Sequence, residues 1–484
     1  MLPRFWPRIP PLALLVVCAA TTGCQPVAEL AVPAPVRITT TSAGPTKLGA
    51  HFVGHLSCVA AGCHGAAFSP REPAWRSAAT VWEARDPHRQ AFLVLYTERS
   101  VEIYRNLHPD ERDASRLDDD RYFRFLQQRC ISCHATGTQG DDRAPIPSKE
   151  RAPADYLAGV SCESCHGPAG QWLHTHYLAN ATPTTPGFIS TKDLWTRAGV
   201  CVGCHVGPMV TGDTTYDMNH DLIAAGHPRL AFEFDAYLLN LPKHWNEIED
   251  KRQHRGSFHV DAWRFGQVQS ARQVVTLLAH RAPAGHDFAN FDCYACHHPI
   301  RDPSSPTSVA AVRHTGYPRL WGADPLLAIT GDPSADALHS WPAQIEAWNR
   351  QHGLFAPAKP PKTDDEPTAK LPDIAKIPPL TPLQPADLPS HAAALRKLLS
   401  HWRGGGQSPR KMTWDETVQL YLAVQALARD LPSNTTLATA NEDLFDELSP
   451  LASGPYSTPQ DPNPTRLALL LDNIDGELSK VTAP

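Results

Sequence analysis

The chain is poor in methionine, with 4 among 484 residues, so little thioether sulfur is on hand to bind a metal. Basic residues are not in excess. The 44 Lys and Arg face 50 Asp and Glu, a formal net charge of -6, which excludes the cationic footprint of a nucleic-acid-binding protein. The apolar run near the N-terminus, Leu12 to Ala20, falls short of the ~20 residues a helix needs to cross a bilayer. Long regular structure is limited too: 47 prolines, about twice the usual share, exclude one long regular α/β domain and predict extended linkers.

What the chain does have is cysteine and histidine in a fixed pattern. Eight of the 12 cysteines form four Cys-x-x-Cys pairs with a His immediately after: Cys130 and Cys133 with His134, Cys162 and Cys165 with His166, Cys201 and Cys204 with His205, and Cys293 and Cys296 with His297. A shuffled chain of this composition would hold roughly 0.015 such matches, so the repetition is not chance. A fifth site, Cys58 and Cys63 with His64, has four intervening residues instead of two. Zinc knuckles use paired cysteines and exported proteins form disulfides, but neither explains a His after every second Cys. Heme c does. Its two thioether bonds fix the separation of the sulfurs, and the next residue lies beneath the ring, where an imidazole reaches the iron. The long first loop, Val59-Ala60-Ala61-Gly62, serves if its small extra residues bulge outward. The pattern therefore predicts five covalently attached hemes c, with His64, His134, His166, His205 and His297 as proximal iron ligands.

The N-terminus accounts for the last two cysteines. Arg4 and Arg8 precede the short apolar run, and Thr21-Thr22-Gly23-Cys24 follows, the layout of an export signal. Gly23-Cys24 resembles a lipoprotein box. Cys24 is accordingly expected to be the lipidated first residue of the mature chain, ordinary signal cleavage being the alternative, and Cys18 is lost with the signal. The expected location is the periplasmic side, anchored through lipid to the outer membrane, with other redox proteins as partners.

The sixth iron ligand is expected to be His. Only Met209 and Met218 lie within the heme region, whereas 15 further histidines lie before residue 338. His88 opens an amphipathic run to Leu107 that reads as a helix and suits a rigid ligand. One of His174 and His176 is expected to ligate, His176 being preferred. His220 and His227 are further candidates, the latter held by Gly226 and Pro228. His108, His244, His254, His280, His286 and His298 remain open, a structural role being preferred over ligation for each.

At this point the sequence resembles the cytochrome c-554 type of multiheme cytochrome, related more distantly to hydroxylamine oxidoreductase. The likeness is carried by the first motif with Trp82 and His88, by Cys130-Ile131-Ser132-Cys133-His134, by Gly159-Val160-Ser161-Cys162-Glu163-Ser164-Cys165-His166-Gly167-Pro168-Ala169-Gly170 with His176, and by Cys201-Val202-Gly203-Cys204-His205. It covers roughly residues 51 to 230. The resemblance implies that His88 ligates the heme of Cys162 and Cys165 and His176 that of Cys58 and Cys63. It further implies that the heme of Cys130 and Cys133, with His134, lacks a sixth ligand and is open. The chain departs from the family in its lengthened first motif, in about ten extra residues before His88, in a fifth motif at Cys293 and Cys296 and in a long C-terminal extension. Pentaheme nitrite reductases and octaheme tetrathionate reductases carry a Lys-ligated catalytic heme, whereas every motif here ends in His. Electron carriage through bis-His hemes is therefore the leading expectation, and oxidoreductase chemistry on a small nitrogen or sulfur compound at a five-coordinate heme is the alternative.

The expected fold is mainly α, a multiheme cytochrome c with short helices, long loops and little sheet, plus a small C-terminal helical domain. The expected division is a signal at 1–24, a tether at 25–50, a pentaheme domain at 51–306, a loop-rich extension at 307–355, a Pro-rich linker at 356–390 and the helical domain at 391–484. Helices are predicted over Leu117 to Arg129, Ala271 to Arg281, His391 to Trp402, Thr413 to Asp430 and Thr465 to Lys480.

Overall fold

The computed structural model describes residues 51–111, 117–137, 154–178, 187–207, 209–211, 214–281, 287–290, 379–402, 414–451 and 462–482, with Gln344, Lys370 and Met412. Several expectations fall outside these residues. They are the signal and Cys24, the fifth motif with Cys293, Cys296 and His297, the histidines His286 and His298, the extension at 307–355 apart from Gln344, and most of the Pro-rich stretch.

The described residues are mainly helical. In chain order the helices are α1 (Ala78–Arg85), α2 (Glu98–Leu107), α3 (Asp119–Arg129), α4 (Ile131–His134), α5 (Ala154–Leu157), α6 (Cys162–His166), α7 (Leu194–His205), α8 (His220–Ala225), α9 (Phe234–Asn240), α10 (Glu247–Gln253), α11 (Phe258–Arg281), α12 (Leu388–Trp402), α13 (Trp414–Asp430), α14 (Thr435–Leu448) and α15 (Pro464–Thr482). One antiparallel ribbon, β1 (Met209–Thr211) with β2 (Thr214–Tyr216), pairs Met209 with Tyr216.

Local chemistry explains where these elements start and stop. Asp118 caps α3 by accepting from the Arg121 N–H at 3.0 Å, so the helix begins just after the predicted Leu117. The predicted helix from His88 to Leu107 is broken instead into 3-10 turns at Pro87–Gln90 and Leu93–Tyr96, then α2. Thr97 is extended and its hydroxyl donates to the Val94 carbonyl at 2.7 Å, a side-chain bond that competes with continued helix. Helix α11 runs 24 residues where only its C-terminal half is legible as a helix. Its first half, Phe258 to Gln269, is buried on every side, so it carries no amphipathic stripe.

Helix α11 is the spine. On one side it packs against α7 and α9 through Phe258, Ala262, Phe265 and Val268. On the other, Val260 and Trp263 enter the apolar core formed by α12 to α15. Asp430 at the end of α13 accepts from the His259 and Val260 N–H groups at 3.2 and 2.8 Å, placing a carboxylate at the N-terminus of α11. Arg229 pairs bidentately with Asp415 at 2.6 and 2.7 Å, and Arg429 reaches Asp235 at 2.9 Å. The end of the Pro-rich stretch is docked as well: Leu380 is buried and the Leu383 N–H donates to Asp261 at 3.0 Å. A third core joins α2, α3, α4 and α8 through Tyr104, Phe123, Leu126, Ile131 and Leu222.

Candidate heme core

Each described Cys-x-x-Cys-His motif lies in a single turn. Motif two is α4, motif three is α6 and motif four ends α7. The first motif closes through its own bonds, Cys63 N–H to Ala60 O at 2.8 Å and His64 N–H to Cys58 O at 3.3 Å. Three of its four intervening residues, Ala60, Ala61 and Gly62, are exposed, so the lengthening bulges outward. Gly65 seals the loop, since a Cβ there would lie 1.8 Å from the Val59 carbonyl oxygen. The motifs abut one another. Cys58 and Cys162 lie close enough to shift each other's pKa, as do Cys133 and Cys204. The fifth expected attachment pair, Cys293 and Cys296, lies outside the described residues together with its histidine, His297.

The histidines come in facing pairs. Ring centres are 6.1 Å apart for His64 and His176, 6.0 Å for His88 and His205, and 6.4 Å for His134 and His227. Two imidazoles bound to one metal from opposite sides, each at about 2 Å, place their ring centres roughly 6 Å apart. His244 stands close enough to His166 to lower its pKa electrostatically. Among the described residues no three His, Cys, Asp or Glu side chains gather into a single metal cage.

Six of these eight imidazoles are held by Nδ1, leaving Nε2 for a metal. Nδ1 bonds a backbone carbonyl in His64 (Trp75 O, 2.7 Å), His134 (Ala91 O, 2.8 Å), His176 (Leu173 O, 2.9 Å), His227 (Pro228 O, 2.8 Å) and His244 (Pro242 O, 3.3 Å). His88 differs: its Nδ1 meets the Asp86 carboxylate at 2.9 Å. Burial holds His134, His227 and His244 below the usual imidazole pKa and brings His166 and His205 down to about 4, which favours the neutral form that ligates.

Orphaned donors test whether a large anionic group fits between these pairs. Trp172 Nε1, Arg105 Nε, Arg197 Nη1 and Trp245 Nε1 are buried without an acceptor. Trp172 lies 5.2 Å from the His176 ring, and Arg197 stacks over Trp245, the residue after His244. Unsatisfied buried donors are costly. The two propionates that heme carries are acceptors of the right charge, so the residues fit the group.

Several expectations are redirected by this geometry. His88 faces His205 of motif four, not His166 of motif three as the resemblance implies. The reason lies in the backbone. The His88 carbonyl accepts from Val160 N–H at 3.0 Å and Trp82 Nε1 bonds Val160 O at 3.1 Å, so the segment is fastened beside motif three while the ring reaches across to motif four. The motif-two imidazole, implied to stand alone, faces His227, which follows the left-handed Gly226 (φ 118°). His174 is exposed, and His220 sits beside Phe288 at 5.6 Å rather than across from a described motif histidine. His108 packs on Tyr104 at 4.3 Å, and His254 bonds the buried Asp261 at 2.7 Å. His244 is legible in the sequence only as one histidine among many. Glu163, inside motif three, carries no sequence signal of its role: buried at 2 % exposure, its carboxylate accepts from Val53, Gly54 and Ala169 N–H groups at 3.0, 2.9 and 2.7 Å.

Comparison with known proteins agrees in kind. Residues 59–167 match the family model described as cytochrome c554 and c-prime, a span that includes Trp82, His88 and the motifs of Cys130 with Cys133 and Cys162 with Cys165. No curated protein and no solved structure matches the chain.

Proposed function

We propose, from the match of residues 59–167 to the cytochrome c554 and c-prime family and the electron transfer by c-type heme which that family implies, that the mature protein is an exported, lipid-anchored pentaheme electron carrier. The five hemes would be joined to Cys58 and Cys63, Cys130 and Cys133, Cys162 and Cys165, Cys201 and Cys204, and Cys293 and Cys296. Heme supplies one-electron redox chemistry at its iron. The chain would hold it with His64 and His176, His134 and His227, His205 and His88, and His166 and His244, six of these imidazoles being oriented through Nδ1. Cys24 would anchor the chain and redox proteins would exchange electrons with it.

The observation that carries this reading is the set of three His pairs with ring centres about 6 Å apart, five of the six rings holding a partner through Nδ1. The closeness of cysteines from different motifs supports hemes close enough to pass electrons among themselves. His227 opposite His134 favours carriage over catalysis at an open second heme.

Intact mass and electron paramagnetic resonance of the oxidised mature protein test the proposal. Five heme additions are expected, falling to four when Cys293 and Cys296 are both replaced by Ala. The nearly parallel rings of His64 and His176 (25°) should give a rhombic low-spin signal, and the near-perpendicular pairs (79° and 86°) strongly axial ones. Four additions on the parent chain, or a dominant high-spin signal, would overturn it.

A further inference from the structure

The contrast between His88 and the other imidazoles has an electronic meaning. Five candidate ligands rest Nδ1 on a neutral carbonyl, whereas His88 rests it on Asp86 Oδ1 at 2.9 Å. The Asp86 side chain is only 5 % exposed, so solvent does little to screen its charge. The same oxygen accepts the His88 backbone N–H at 3.0 Å, and Pro87 fixes the short turn between them. Neighbouring Arg89 is engaged elsewhere, with Glu83 at 2.8 Å and the Leu157 carbonyl at 2.7 Å. Asp86 also acts electrostatically on Cys165 of motif three and on His244.

We propose that Asp86 is a positioning residue that makes His88 the most electron-donating of these ligands and sets the heme held by His88 and His205 at a lower potential than its carbonyl-backed neighbours. This rests on the ligation proposed above. An anionic acceptor draws the Nδ1 proton toward itself and raises the basicity of Nε2. A more basic ligand stabilises the ferric state over the ferrous one, so the iron gives up an electron more readily to the next acceptor. The path through the core would then slope: an electron arriving at this iron passes on to a neighbouring heme.

A purely structural role for Asp86, capping the turn at Pro87, is separable from this one. Asn caps as well as Asp and keeps an amide oxygen for both His88 N–H groups, so Asp86→Asn removes the charge and leaves the turn. The experiment is a spectroelectrochemical titration of the mature holoprotein, followed by electron paramagnetic resonance. Asp86→Asn should shift the one-electron equilibrium of a single heme at least tenfold toward the ferrous form, about 59 mV for one electron, with movement of one strongly axial signal. Asp86→Ser, which also caps, serves if the Asn variant folds poorly. His88→Ala is the control for ligation: one heme should turn high-spin and return to low-spin on adding imidazole. If His88→Ala does this while Asp86→Asn leaves every potential in place, or moves all hemes equally, the proposal for Asp86 is overturned. If His88→Ala changes no spin state, the ligation itself is wrong.

Discussion

Replacing Glu163 should loosen the first heme segment more than its place in a surface-length motif suggests. The carboxylate is buried and accepts three backbone N–H groups from two separate segments, Val53 and Gly54 on one side and Ala169 on the other. Val53 is half-buried and can find water after truncation, but Gly54 is buried and Ala169 has no exposure. Glu163→Ala therefore leaves two fully buried donors unpaired, each costing about 1–3 kcal/mol, for a loss of roughly 2–6 kcal/mol. Glu163→Gln keeps one acceptor oxygen and turns an NH2 toward a donor, so about 1.5–3 kcal/mol is expected. Urea unfolding of the holoprotein, followed by far-ultraviolet circular dichroism, measures both. Limited proteolysis should locate the first opening at residues 51–57, the segment leading into Cys58. If both variants stay within about 0.5 kcal/mol of the parent, the ordinary scatter of surface changes, the staple does not exist; if Ala is no worse than Gln, the count of orphaned donors is wrong.

His227→Ala should convert one heme to a high-spin state that binds small exogenous ligands, whereas an unchanged absorption and resonance spectrum would remove His227 from the ligand set. His391 is buried against Trp263 at 5.5 Å with Nε2 unpartnered, and burial lowers its pKa from 6.5 to about 3. The unfolded chain then binds the extra proton between these values, so this residue lowers stability as pH falls below 6.5, by at most about 1.4 kcal/mol per pH unit. His391→Leu should flatten the parent's acid slope by that amount, and equal slopes from pH 7 to 5 would refute it. Deleting residues 388–484 should not leave the heme region intact. It uncovers Val260 and Trp263, both fully buried, at about 2–3 kcal/mol each, so an unchanged melting temperature would disprove their shared core.

How far the sequence could be read depended on where its information is local. The candidate heme-attachment residues stand out because their spacing repeats, and the caps of α3 and the stripe of α15 are written within a few neighbouring positions. His88 is legible as a candidate ligand, but its nearness to His205 is not. A ring's direction is set by Asp86 and Gly159, and a Cβ at Gly159 would lie 2.4 Å from the His88 carbonyl oxygen, a fit no periodicity reports. His244 and Glu163 stayed hidden for the same reason: their partners at Pro242 and at Val53, Gly54 and Ala169 are backbone atoms, which leave no trace in residue type. The first half of α11 escaped because a helix covered on all sides has no polar face to betray its period. Helix α14, capped by Asn434 at 3.1 Å from Leu437 N–H, follows a short polar turn that did not register as a start.

The facing histidines also bear on the order in which such a chain can be completed. Joined by iron as proposed, each pair would close a loop of about 100 residues, the kind of distant closure whose entropy must be met before its contacts give anything back. In the His88 pair the partner ring is synthesised first and waits for its motif, whereas His134 and His64 wait for rings made later. The three loops overlap in sequence, so none can be cut out without opening another. A nascent chain that ends before residue 227 holds unmatched imidazoles however many of its cysteines are already joined, and the core locks as a set.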